Sequence, residues 1–445
     1  MRQPGDASQP ASTSMSRLRS PRPRIVGAGA CAVAMALLLG MAPLGPAAAQ
    51  TAAAPAAAAD ADADASAALP TGPDASAPPA PAEKRSFWQL LHDPQDGHLD
   101  MSEWLLNHRG VLPVPIVITE PALGYGGGVA LTFFHRREGT PASWTNARGQ
   151  KRFISPDIYG VMGMKTENGS NAYGAGAYLH FDEDRWRYKG GVAKASFNLD
   201  FYTQGRFLPV EQLGYNVDGL ASFQQVQRRL GDNDFYVGLS WIYMDLDVGF
   251  DVPSDAGRFT GKELAQKTSG LGLTLEYDTR DNPFTPSSGW TGVVTGNFYR
   301  EGFGGDVDFD SYRGHVFAYA PMFDRRLVVG GRIDIRAVDG DVPFYRLPYV
   351  DMRGIAAGRY QDRRAAMLET ELRWNVTPRW ALISFLGGGR AWGRKDSFGD
   401  ATTAVAKGAG FRYLLARKLG MYGGLDYAWG PEDHTFYIQM GSAWR

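Results

Sequence analysis

Beyond a leader-like N-terminal segment the chain has no cysteine: its single copy in 445 residues, Cys31, falls inside that segment. A disulfide scaffold, a thiolate metal site and a cysteine nucleophile are therefore excluded downstream. Histidine is sparse as well, with seven residues and no HxxxH-type spacing, so no metal site is expected. Charge of one sign is missing, because 46 Lys and Arg against 47 Asp and Glu leave a net −1. That balance provides no field for gathering nucleic acid. After residue 50 no run of 18 strongly apolar residues occurs, which excludes a membrane-spanning helix there. Glycine and aromatics are plentiful instead: 55 Gly, 23 Phe, 20 Tyr and 11 Trp suit a large β structure with aromatic girdles.

The N-terminal segment reads as a secretory signal over residues 1–49. Arg17, Arg19, Arg22 and Arg24 form a cationic start, an apolar run follows, and Ala47-Ala48-Ala49 supplies a small-residue cleavage pattern. Met15 is a candidate start, and cleavage is expected after Ala49. The apolar core lies after Cys31 rather than before it, which rules out a lipoprotein signal. Residues 50–85 are mostly Ala, Pro and Asp and are expected to be a disordered linker. Residues 86–112 carry one short helix, with Asp100-Met-Ser-Glu103 as a capping box and Met101, Trp104 and Leu105 on one face. Arg109-Gly110 is its stop. The plain reading packs this helix on the domain that follows; the alternatives are a plug in a barrel mouth or a helix at the membrane surface. A calcium loop from His92 to Glu103 around Gly97 fails, since His92 and Pro94 stand where oxygen ligands are needed.

From residue 114 on, the apolar residues recur every second position. In 327–336, Leu327, Val329, Ile333 and Ile335 oppose Arg332, Asp334 and Arg336. In 271–280, Leu271, Leu273, Leu275 and Tyr277 oppose Thr274, Glu276, Asp278 and Arg280. In 367–375, Leu368, Leu372 and Trp374 oppose Glu369, Glu371 and Arg373. An aliphatic face backed by a Gly-, Arg- and Glu-rich face fits a transmembrane barrel, lipid outside and polar lumen within. About fifteen such segments are countable, and Val114–Thr119 supplies a further strand that brings the number to an even sixteen. The fold expected is all-β: a 16-stranded antiparallel transmembrane barrel over 113–445, with a short N-terminal helix.

Two stretches resemble a known family. Asp278-Thr-Arg280-Asp281-Asn-Pro-Phe-Thr-Pro286-Ser-Ser-Gly289 is similar to the DxRD…P..G turn of the BamA/TamA family of bacterial surface-antigen barrels. Three strands later, Met352-Arg353-Gly354-Ile355 resembles the tip of that family's long inward-folded loop, and five strands follow it, as that family's barrel requires. The resemblance spans about residues 112–445. It implies that the loop enters the lumen and that Arg353 meets the lumen carboxylates Glu369 and Glu371. A guanidinium in a polar lumen wants a planar bidentate acceptor, and Gly354 permits a tight tip.

Three departures stand out. Where the family carries FxDxG, this chain reads Phe385-Leu-Gly387-Gly-Gly389, so the lock on Arg353 must be rebuilt or is weaker. Gly441 and Trp444 approximate the terminal-strand signal, with the aromatic penultimate. The stretch between cleavage site and barrel is too short for the family's periplasmic POTRA repeats.

No enzyme emerges. There is no GxSxG elbow, Gly257–Glu263 falls one residue short of a P-loop, and no helix pattern follows the glycines at 124–128. Residues such as His180 and Ser240 show no readable pairing. No cofactor and no metal are expected. The resemblance implies an outer-membrane monomer in contact with lipid and lipopolysaccharide, helping to insert or translocate unfolded outer-membrane proteins or to remodel the membrane. A passive pore and a structural surface antigen are the alternatives.

Overall fold

The computed structural model describes residues 87–107, 111–118, 126–141, 143–201, 213–251, 264–355, 358–394, 396–432 and 434–444. The expected signal segment and linker, and the Arg109-Gly110 stop, lie outside these residues. Two short helices come first, α1 (Phe87–Leu90) and α2 (Ser102–Asn107). The strands then begin with β1 (Val111–Ile118) and β2 (Gly126–His135), followed by a small hairpin of β3 (Ser143–Thr145) and β4 (Lys151–Phe153). Next come β5 (Asp157–Thr166), β6 (Asn171–Phe181), β7 (Trp186–Phe201), β8 (Leu213–Arg229), β9 (Phe235–Asp251) and β10 (Leu264–Asp278). After them run β11 (Gly289–Tyr299), β12 (Phe309–Met322), β13 (Leu327–Gly340) and β14 (Arg364–Asn375). The series closes with β15 (Trp380–Trp392), β16 (Ala404–Ala416), β17 (Met421–Trp429) and β18 (His434–Met440).

Leaving out the β3–β4 hairpin, these strands form one 16-stranded sheet in chain order, each antiparallel to its neighbours. The added strand expected near Val114 is present as β1, and five strands follow the long loop. The period of two sets both faces. On β10, Leu271, Leu273 and Leu275 are exposed, as are Ile333 and Ile335 on β13 and Leu368, Leu372 and Trp374 on β14. Outward aliphatic stripes on strand after strand are far too much exposed apolar surface for water, and they make an apolar girdle. The inner face buries Arg332, Asp334, Glu369, Arg373, Arg412 and Asp426. A wall with this polarity requires lipid outside.

The sheet curls until its first and last strands lie side by side, with Cα atoms within 8 Å. Yet among the described residues β1 forms a ladder only with β2, and β18 only with β17. The wall therefore has a seam.

The turn between β10 and β11 carries the DxRD stretch. Arg280 clasps Asp278 through Nε (2.9 Å) and Nη2 (2.7 Å). Asp281 Oδ1 accepts the amides of Ser287 (2.8 Å) and Ser288 (3.0 Å), which folds the segment back on itself. Pro286 is buried. Gly289 closes the turn at φ +87°, and a Cβ there would meet the Thr279 carbonyl oxygen at 2.3 Å. Gly289→Ala is expected to destabilise the barrel by about 2 kcal/mol or more, from the left-handed backbone and the clash together. Thermal melting of the detergent-solubilised barrel, read by heat-modifiable gel mobility, checks this; an unchanged melting point would contradict it.

Candidate functional site

Two constellations stand out, one in the lumen and one at the seam. The first is built from the long loop between β13 and β14, which folds inward. Its apolar residues Val350, Met352 and Ile355 are buried against Ala365 and Met367 of β14 and Ala404 and Ala406 of β16. Room for them comes from glycines of β15. A Cβ on Gly387 would sit 3.0 Å from Met352 Sδ, and one on Gly389 would sit 2.6 Å from Val350 Cγ1. The residue at 387 is thus small because the loop tip occupies its space.

Arg353 then reaches the wall. Its Nε (3.1 Å) and Nη2 (2.5 Å) donate to Glu369 Oε1, and Nη2 lies 2.7 Å from Glu371 Oε2. Its Nη1 donates to Asp426 Oδ2 at 2.8 Å, and the guanidinium stacks 3.6 Å from the Phe385 ring centroid. Asp426, on β17, is held in turn by both Nη atoms of Arg412 (2.6 and 2.8 Å). Gly354 takes φ +84°, and its amide donates to the Tyr437 hydroxyl of β18 at 2.9 Å. One loop tip thereby ties β14, β15, β17 and β18 together. A second tie joins the loop residue Asp351 to Arg336 at 2.8 Å, and Arg336 shares Asp334 with Arg313 and Arg332.

The structure thus places Glu369 and Glu371 at Arg353 and adds Asp426 and Phe385. Asp426 was readable only as one lumen-facing carboxylate among many, from its parity in Tyr422-Gly-Gly-Leu-Asp426. Gly441 and Trp444 fall elsewhere than on a strand. β18 ends at Met440, Gly441 turns the chain at φ +77°, and the tail enters the mouth of the barrel. There the Ser442 amide donates to the Phe284 carbonyl (2.5 Å), and Trp444 packs on Phe317 and Tyr319 of β12 and over Gly330 of β13.

The second constellation lies at the same mouth, the end with short turns. Leu105 of α2 is fully buried in one apolar cluster with residues from both sides of the seam. Leu112 of β1, Phe134 of β2 and Ile158 of β5 contribute from the first strands; Ala416, Leu419 and Met421 contribute from the last. The helix therefore packs on the barrel that follows it, at the mouth beside the seam, as the plain reading expects. Trp104 Nε1 donates to the Val111 carbonyl of β1 (3.3 Å), while the Met101 amide donates to the Leu415 carbonyl of β16 (2.7 Å). Asp100 Oδ1 caps the helix at the Ser102 amide (2.8 Å), the Asp100 amide donates to the Leu91 carbonyl (2.8 Å), and Glu103 pairs with Lys418.

An arginine anchors this segment. Arg379, in the turn between β14 and β15, meets Asp93 (2.6 Å), Asp96 (2.7 Å) and Asp100 (2.6 Å), and Arg417 also meets Asp93 (2.5 Å). A guanidinium thus stands at the centre of the acidic loop. Arg379 holds the Asp96 carboxyl at about 2, below its ordinary value. On the opposite side of the mouth the β3–β4 hairpin docks through Arg152, which grips Asp234 at 2.7 and 2.9 Å.

Residues 171–444 match the model of the Omp85 superfamily domain. No curated protein matches the chain. Among solved structures, BamA from Haemophilus ducreyi lacking POTRA domains 1–3 is similar at 11% identity and a TM-score of 0.48, covering 74% of this chain and 69% of that one. CdiB from Acinetobacter baumannii is similar at 11% identity and 0.48, covering 74% and 59%. CdiB from Escherichia coli is similar at 12% and 0.49, covering 74% and 61%. The chain thus spans less than two thirds of the CdiB chains.

Two outcomes follow from the geometry. Arg353→Ala removes the cation that three lumen carboxylates share, leaving Glu369 with only Arg332 and Asp426 with only Arg412, and is expected to cost about 3–5 kcal/mol of barrel stability. Arg353→Lys restores the charge but not the planar fork and recovers only part. Equal melting temperatures for all three proteins would contradict this. For the mouth, a depressed Asp96 stabilises docking above the ordinary carboxylate range and is lost as pH falls through about 2. Residues 91–107 should therefore resist pepsin at pH 4 and become cleavable near pH 2, whereas Arg379→Ala should expose them already at pH 4.

Proposed function

This chain belongs to the Omp85 superfamily of outer-membrane barrels, and on that premise we propose that it assists protein insertion or translocation, or remodels lipid, by opening its own wall at the β1–β18 seam. It resides in the bacterial outer membrane and is not an enzyme. The end bearing α2, the short turns and the C-terminal tail then faces the periplasm.

The observation that carries the reading is the missing ladder between β1 and β18. A barrel whose edges are unpaired offers backbone donors and acceptors to an incoming strand, which is how edge strands recruit partners. A cooperative sheet with all ladders formed would resist such opening. The contacts that bridge the seam come from α2, through the side chains of Trp104 and Leu105, and such contacts separate at lower cost than a continuous ladder.

A passive pore is the weaker reading. The loop tip folds into the lumen against β14 to β18, and α2, the β3–β4 hairpin and the Trp444 tail gather at the periplasmic mouth. Solutes would meet these elements before any open channel.

Paired cysteines across the seam test the proposal, because outside the leader the chain has no cysteine of its own. Locking β1 to β18 by a disulfide should abolish complementation of a deletion strain, and reduction should restore it. Full complementation with the seam locked would end the lateral-opening reading.

A further inference from the structure

The first strand carries an unusual pair of residues. β1 reads Val111-Leu-Pro113-Val-Pro115-Ile-Val-Ile118, two prolines with the same parity. It nevertheless pairs with β2 over all eight residues without a register shift. In an antiparallel ladder alternate residues turn their N–H and C=O toward the partner, and proline has no N–H to give. The ladder to β2 must therefore run through Leu112, Val114 and Ile116. An independent distance agrees: the Ile116 carbonyl oxygen lies 3.5 Å from where a Cβ on Gly127 of β2 would sit, so it faces β2. Residues 111, 113, 115 and 117 then face the seam.

On that seam-facing edge Pro113 and Pro115 offer carbonyls but no donors. The remaining donors, Val111 and Val117, are six residues apart, roughly 20 Å along the strand. β18 spans only His434–Met440 and contains no proline, so its own free edge keeps both donors and acceptors. The Val111 carbonyl is already taken, because it accepts the Trp104 indole N–H. β1 is thus stripped of donors in its middle and capped by α2 at its periplasmic end.

We propose that Pro113 and Pro115 are a built-in block against zipping the seam, which hands closure of the wall from the backbone to the docked helix α2. The block keeps the wall from closing irreversibly on itself. It also makes the last strand, rather than the first, the competent template for an added strand. This second consequence rests on the lateral-opening reading; the block itself does not.

Hydrogen–deuterium exchange of the full chain in detergent or lipid tests the block. In the wild type, amides of β18 should exchange about tenfold or more faster than those of the interior strands β10 and β11. In the double variant Pro113→Val/Pro115→Val the seam should zip. Exchange in 111–118 and 434–440 should then slow about tenfold or more, with β10–β11 unchanged. Wild-type β18 as protected as β10 would overturn the proposal, and this arm needs no variant to fold. A folded double variant with unchanged exchange, or with β1 loosened from β2, would overturn it as well. Complementation separates the two readings. If the seam zips and the variant still complements, the block stands and lateral opening falls. If the seam zips and complementation is lost, both stand.

Discussion

Rolling a sheet into a barrel brings two edge strands together, and among the described residues of this chain no backbone ladder joins them. Unpaired N–H and C=O groups at membrane depth are expensive, so other groups must hold the edges close. The chain uses side chains at the periplasmic end: α2 sits under the seam, its Trp104 bonded to β1 and its neighbour Met101 to β16. Arg379 fixes the whole segment through three carboxylates. Nearer the lumen centre Tyr437 of β18 is held by the Gly354 amide, so the loop tip steadies the last strand from inside.

Charge placement follows from the same architecture. The lumen holds arginines and carboxylates in alternating contact, and the inward loop completes the set rather than floating within it. Glu369 and Asp426 lie on different strands, each beside an arginine of the wall, Arg332 and Arg412, and the cation arriving from the loop is the one they share. Phe385 provides the flat face on which that guanidinium rests. Opening the wall beside β18 while keeping this node intact would leave β14 to β17 as a fixed body.

Much of the barrel was legible because a period of two, repeated over many segments with charge on the second face, suits little besides a wall between lipid and a polar lumen. The sixteenth strand was legible in Val114–Thr119 despite its proline, Pro115, since an even number was needed. The loop tip was legible from four residues and the β10–β11 turn from twelve. What escaped was whatever depends on register and depth. Asp426 lies 73 residues from Arg353, and parity alone could not rank it above other lumen carboxylates. Gly387 looked like a lost partner, whereas it makes space for Met352. Trp444 looked like a strand residue, but Gly441 turns the chain away before it. Arg379 and its aspartates are nearly 290 residues apart at the widest, with no pattern linking them. The β3–β4 hairpin is too short to show a period.

The docked N-terminal segment, not a backbone ladder, holds the seam. Spin labels at Val129→Cys on β2 and Tyr427→Cys on β17, both outward-facing, would report the distance across it. Pulsed electron resonance should give one narrow distance in the otherwise unchanged chain, and a broader, longer distribution once Arg379→Ala releases the segment. A narrow distribution unaffected by Arg379→Ala would contradict the claim.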